Sequence, residues 1–171
     1  WAYSMPPIRL KNNGWLGNAA CGFSYEGLAW ITGAIVVANG KLPSDETIYL
    51  AILYSLSAHG IMTLNDFKSI DGDKQFGINS LPVQFGPDKA AKIACWVMAT
   101  PQLIVVTLMA SWGAIEHAIV ISCLVAGQFV AMRKLLKDPL KLAPWYNATG
   151  VLMFVLGMMV CAFGLRNFGA F

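Results

Sequence analysis

"LYSLSAHGIMTLNDFKSIDGDKQFG", residues 53–77, opens as an apolar run and closes in a knot of charge. Its first half reads as a membrane span. Its second half packs Asp66, Lys68, Asp71, Asp73 and Lys74 into nine residues. A carboxylate at the edge of a bilayer is costly, so it needs a partner or a task.

The rest of the chain agrees with the membrane reading. Of 171 residues, 57% are hydrophobic and 12% charged, with a mean hydropathy of +0.57. Soluble domains carry about 25% charged residues. A spanning helix needs roughly 20 mostly apolar residues, and five segments meet that requirement: 17–38, 47–65, 90–110, 114–132 and 147–165. "NGKLP", "FGPDKAAK" and "KDPLKLAPW" punctuate them. The predicted fold is therefore all-α, a polytopic transmembrane helix bundle in one domain over 1–171. "WAYSMPP" at the start reads as the end of a helix already under way, so a preceding portion is expected.

The basic residues test this layout. Arg9 and Lys11 precede the first span, and Lys41 follows it. Lys68, Lys74, Lys89 and Lys92 fall in 66–92, and Arg133, Lys134, Lys137 and Lys141 in 133–145. The 111–117 connection has none, and the tail has Arg166. Alternate connections thus hold ten basic residues on one side and two on the other. By the positive-inside rule, 1–16, 66–92 and 133–145 face the cytoplasm, as in a bacterial inner membrane. The basic run "RKLLKDPLK" suits anionic membrane lipid. The net charge of +3 gives no support for nucleic-acid binding.

The acid cluster then lies at the cytoplasmic end of the second span. Asp66 and Asp73 would share a face if the helix continued; Asp71 and Gly72 mark where it should bend or end. Crowded carboxylates repel unless a cation sits among them. Mg²⁺ suits such a place, taking one or two carboxylates together with phosphate oxygens. Lys68 and Lys74 would favour the same anion. The composite reads as a diphosphate site, and equally as a solvated loop of balanced charge.

"NDFKSIDGDKQFGINSLPVQFG" resembles the second aspartate-rich motif of the intramembrane (UbiA-type) prenyltransferases. "YSMPPIRLKNNGWLGN" and "LKDPLK" are similar to segments of the branch that makes chlorophylls and bacteriochlorophylls, and "SYEGLAW" looks closer to its bacteriochlorophyll members. The resemblance implies Mg²⁺-dependent transfer of a prenyl group from its diphosphate to the propionate of a (bacterio)chlorophyllide. Carried over by residue, it makes Asp66, Asp71 and Asp73 the metal and catalytic acids. Asn65, Lys68, Lys74, Arg9 and Lys11 become candidates for the diphosphate. The family's first motif, NDxxDxxxD, has no match in residues 1–64, and its members have about nine spans. The chain is therefore expected to be the C-terminal part of such an enzyme, inactive alone. The rival expectation is a non-catalytic pigment-binding subunit of a photosynthetic complex, with photosynthetic or pigment-assembly membrane proteins as partners.

Three intramembrane residues are candidates for the acceptor. His59 could ligate a chlorin magnesium or bind the acceptor carboxylate, or else form an interhelical hydrogen bond. Glu26 could contact the tetrapyrrole or pair with a helix neighbour, and Trp30 could line a pigment pocket. His117 reads as an external-loop residue. Cys21, Cys95, Cys123 and Cys161 read as small buried hydrophobes.

Overall fold

A computed structural model describes residues 1–166. The first span runs as α1 (Gly14–Gly22), a π-helical turn (Phe23–Leu28) and α2 (Ala29–Val37). The second is α3 (Asp45–Asn65), prolonged by a 3-10 turn over Asp66–Lys68. Two short helices follow, α4 (Ile70–Gln75) and α5 (Leu81–Phe85). Then come α6 (Pro87–Ser111), α7 (Ile115–Leu135) and α8 (Pro139–Leu165). Five helical segments, of 24, 24, 25, 21 and 27 residues, are long and apolar enough to cross a bilayer. The fold is an all-α bundle of an integral membrane protein, and the five predicted spans are present.

α3 is the hub. Two-thirds of its most apolar window is buried, against 17% for the first span. In a lipid setting, helices associate through close packing and hydrogen bonds, and both are visible here. A Cβ on Gly60 would stand 2.5 Å from the Ala94 carbonyl oxygen, so α3 and α6 meet backbone to backbone. The Ser57 hydroxyl donates to the Met98 carbonyl at 2.9 Å. Between α6 and α7, buried Gln102 and Gln128 exchange amide hydrogen bonds of 3.0 and 2.8 Å. Toward α8, the Tyr54 ring packs edge-on against Phe154, and its hydroxyl lies 3.3 Å from Cys161 Sγ.

Several boundaries differ from the sequence reading. α8 starts at Pro139, not 147, so most of 133–145 is helix around a tight turn. Asp138 caps it by accepting from the Lys141 amide, and Pro139 occupies a first-turn position whose missing N–H costs nothing. Charge and proline had suggested a loop because the helices run past the apolar stretch. His117 is not in a loop; it sits in the first turn of α7, where a Cβ on Gly164 of α8 would touch its ring. Cys123 is exposed and Cys21 half-buried, so only Cys95 and Cys161 fit the buried reading. Residues 2–8 form turns rather than the end of a helix.

Those turns position the site. The chain folds back so that the Leu10 amide donates to the Ala2 carbonyl and the Lys11 amide to the Tyr3 carbonyl, each at 3.1 Å. Asn13 then starts α1, its side-chain oxygen accepting from the Trp15 and Leu16 amides. A parallel bridge ties this entry to the segment after α4, with Gly14 N–H donating to Asn79 O at 2.8 Å. A Cβ on Gly14 would lie 2.7 Å from the Leu81 backbone nitrogen, so only glycine permits that junction.

Candidate functional site

α3 ends where its polar face begins. His59, Thr63 and Asp66 follow one another along the side of α3 that meets α1. Asn18 of α1 donates to Asp66 Oδ2 at 3.0 Å and to Thr63 Oγ at 3.3 Å. The break comes at Ser69, φ −114°, and not at Asp71–Gly72 as the residue types suggested. The Ser69 amide donates to the Asp66 carbonyl, closing the 3-10 turn, and the Asp73 amide donates to the Ser69 carbonyl, opening α4. The change of direction carries Asp73 back beside Asp66. Ser80, arriving just before α5, donates to Asp73 Oδ2 at 2.6 Å, and Ser69 donates to the same oxygen at 3.3 Å.

Asp66 and Asp73 thereby line one polar cavity of about 180 Å³, with Lys11, Tyr3, Asn18, Ser69 and Ser80 around it. Each carboxylate has one oxygen engaged by a neutral donor, Asn18 for Asp66 and Ser80 for Asp73. Lys11 adds a cation to the lining of the same cavity. Burial, the hydrogen-bonded Cys21 thiol and the nearby Asp66 charge push the Tyr3 hydroxyl up to about 12, so it is a neutral donor at ordinary pH. The arrangement can accept a cation between two acids and an anion beneath a lysine.

The other predicted residues do not share this cavity. Asp71 and Lys74 are exposed on α4. Asn65 and Lys68 line a second cavity, of about 290 Å³, between the end of α3 and the start of α8. There the Asn147 amide donates to Asn65 Oδ1 at 2.8 Å. Arg9 holds a left-handed backbone at φ 43° and lines neither cavity. His59 is buried against α1, its Nε2 donating to the Trp15 carbonyl at 3.1 Å and its ring 5.3 Å from that of Trp15. Among the described residues its Nδ1 has no hydrogen-bond partner. Glu26, within the π-helical turn, and Trp30 line an apolar groove of about 430 Å³ between α2 and α8, beside Met158 and Met159. No group of three or more His, Cys, Asp or Glu side chains converges among the described residues.

Tyr3, Asn18, Ser69 and Ser80 were not singled out in the sequence. Tyr3 and Asn18 lie inside "YSMPPIRLKNNGWLGN", and Ser69 and Ser80 inside "NDFKSIDGDKQFGINSLPVQFG", so the motifs contained them without ranking them.

The UbiA prenyltransferase family matches residues 1–156. The bacteriochlorophyll synthase 33 kDa chain of Cereibacter sphaeroides is 54% identical over 167 residues, which cover 98% of this chain and 55% of that protein. The protein of the same description in Rhodobacter capsulatus is 51% identical, over 98% of this chain and 56% of its own length. The chloroplastic chlorophyll synthase of Avena sativa is 40% identical, over 95% of this chain and 42% of its length. The chain thus spans about half the length of the curated relatives it matches. A solved structure, described as giving insight into "Digeranylgeranylglyceryl phosphate synthase in membranes", superposes with a TM-score of 0.76. It covers 92% of this chain and 55% of its own, at 23% identity, a likeness of fold.

Proposed function

The chain belongs to the UbiA prenyltransferase family, and from that membership we propose that it is the C-terminal part of an enzyme that prenylates a (bacterio)chlorophyllide. The donor is geranylgeranyl or phytyl diphosphate, the acceptor is the propionate carboxylate, and the product is the tail ester. The observation that carries this reading is the pairing of Asp66 and Asp73 across the Ser69 break, with Lys11 in the lining of the same polar cavity.

Prenyltransferases of this family are generally divalent-metal dependent, and the donor set here suits a hydrated Mg²⁺. It consists of two carboxylates, each with an oxygen left free, beside hydroxyls and a lysine. Asp66 and Asp73 would hold the ion, which when bound polarises the diphosphate oxygens and eases departure of the leaving group. Asn18 and Ser80 fix how the two carboxylates point. The Lys11 ammonium and the Tyr3 hydroxyl offset negative charge as the prenyl C–O bond breaks. The acceptor carboxylate oxygen forms the new bond, and diphosphate leaves. Apolar helix walls keep water from the allylic cation. Asp71 and Lys74 stay exposed on α4, Asn65 and Lys68 face the cavity toward α8, and Arg9 lines neither cavity. Glu26 and Trp30 belong to a lateral groove suited to the acceptor, and His59 holds α1 on α3. The excess of Lys and Arg on this end supports a cytoplasmic placement in a bacterial photosynthetic membrane.

The test is esterification of a chlorophyllide with labelled geranylgeranyl diphosphate by the whole protein and its Asp66→Asn and Asp73→Asn variants, with Mn²⁺ binding read by electron paramagnetic resonance. Loss of both ester formation and Mn²⁺ binding is expected. Wild-type turnover in both variants would return the chain to the pigment-holding, non-catalytic reading.

A further inference from the structure

We propose that the groove between α6 and α7 is a binding site for one anionic glycerophospholipid, separate from the cavity of Asp66 and Asp73. Cys95 and Trp96 of α6, Phe129 and Met132 of α7, and Leu136 just past its end line a groove of about 210 Å³, and Arg133 is the charged side chain in its wall. The two helices are antiparallel neighbours. The groove therefore lies in the half of the bundle that holds the first half of α6 and the last turns of α7, where Arg133 sits. Trp96 is 69% exposed there. Lys92 lies one turn before Trp96 on the same face of α6 and is exposed.

The chemistry is that of a lipid with its phosphate at the rim. The apolar floor accepts an acyl chain. The Arg133 guanidinium can grip two phosphate oxygens at once, and Lys92 supplies a second positive charge. Lys134 does not compete, because its ammonium sits 4.0 Å from the centre of the Trp145 ring. Lys89 and Lys137 add to the positive field of this end, against Asp88 and Asp138. A neutral chain would need only the floor; a cation in the wall selects an anionic headgroup.

Trp96 supplies the readout. The whole protein is reconstituted in phosphatidylcholine vesicles that contain a minor fraction of brominated lipid, either phosphatidylglycerol or phosphatidylcholine. The Trp96 share of the emission is isolated by difference from Trp96→Phe. Brominated phosphatidylglycerol is expected to quench that share more strongly at equal mole fraction. The preference should fall about five-fold in Arg133→Gln, the worth of one basic residue near a membrane surface, and vanish in Lys92→Gln/Arg133→Gln. Both positions are exposed, so the variants should fold. Equal quenching by the two lipids in the wild type would overturn the proposal, reducing the groove to ordinary annular contact. So would a preference that the double variant keeps.

Discussion

The Asn18 side-chain nitrogen stands 3.0 Å from Asp66 Oδ2, a hydrogen bond that joins α1 to the last turn of the second span. It leaves the other Asp66 oxygen for a ligand. Asn18→Ala should free the carboxylate to rotate. Groups that orient a metal ligand typically contribute about 10- to 100-fold in metal affinity. The Mg²⁺ concentration for half-maximal prenyl transfer by the whole protein should rise by about ten-fold or more. An unchanged Mg²⁺ titration would remove Asn18 from this role.

Asp71 and Asp73 are two residues apart but differ in setting. Asp73 is held by Ser80 and Ser69 in the cavity; Asp71 is exposed. Asp71→Asn should keep activity within a factor of about two, as surface changes do, whereas Asp73→Asn should abolish it. A kinetic comparison of the two variants under saturating Mg²⁺ decides the matter. Equal loss in both would mean that α4 rotates when substrate binds.

The two hydrogen bonds between Gln102 and Gln128 lie in the middle of the α6–α7 contact. Gln102→Leu strips both partners from the Gln128 amide, whereas Gln128→Leu strips the Gln102 Oε1 of its donor and leaves the Gln102 nitrogen on the Met98 carbonyl. The double change removes both, and should be less destabilising than the two single changes added together. Interhelical polar pairs in membrane proteins average about 0.6 kcal/mol, so the coupling should be about that or somewhat larger. Unfolding in detergent, read as a double-mutant cycle, measures it, and strict additivity would be the contrary result.

Gly60 and Gly33 offer a matched contrast. A methyl at Gly60 meets the Ala94 carbonyl at 2.5 Å, and one at Gly33 meets nothing within 4 Å. Gly60→Ala should cost about 1–3 kcal/mol by pushing α3 off α6, while Gly33→Ala should be neutral or mildly stabilising. Thermal denaturation of the two variants in one detergent compares them directly.

Glu26, in the π-helical turn, lines an apolar groove together with Trp30. If that groove takes the acceptor, Glu26→Gln should change KM for the chlorophyllide and leave KM for the prenyl diphosphate as it was. Steady-state kinetics with each substrate varied in turn gives the answer. A shift in the diphosphate KM alone would move Glu26 to the other substrate.

Much of this molecule was legible in its residue order. Long apolar runs must become helices in lipid, because every backbone group has to find its partner within the chain. The five spans followed from that constraint. The errors fell where the apolar signal fades. Pro139, Lys141 and Trp145 are helical because Asp138 caps the turn before them, and hydropathy does not register a cap. His117 looked like a loop residue because Gly113 breaks the chain just before it and Glu116 adjoins it, yet it lies in α7 and its ring packs on Gly164.

For the candidate site, the sequence by itself marked the short segments that supply the cavity's lining: the acids at 66–73, the lysine at 11 and the motifs around them. Only the tertiary structure decided which members meet. Asp66 and Asp73 converge because the chain breaks at Ser69 and Ser80 returns to hold the second carboxylate. Asp71 and Lys74 stay in solvent, and Asn65 and Lys68 turn toward α8. Lys11, Tyr3 and Asn18 join the acids from more than forty residues away because Gly14 lets the N-terminal segment lie on the backbone at Leu81. Residue types state what a group can do. Which groups share one cavity depends on backbone direction and on contacts distant in the chain, and periodicity does not encode either.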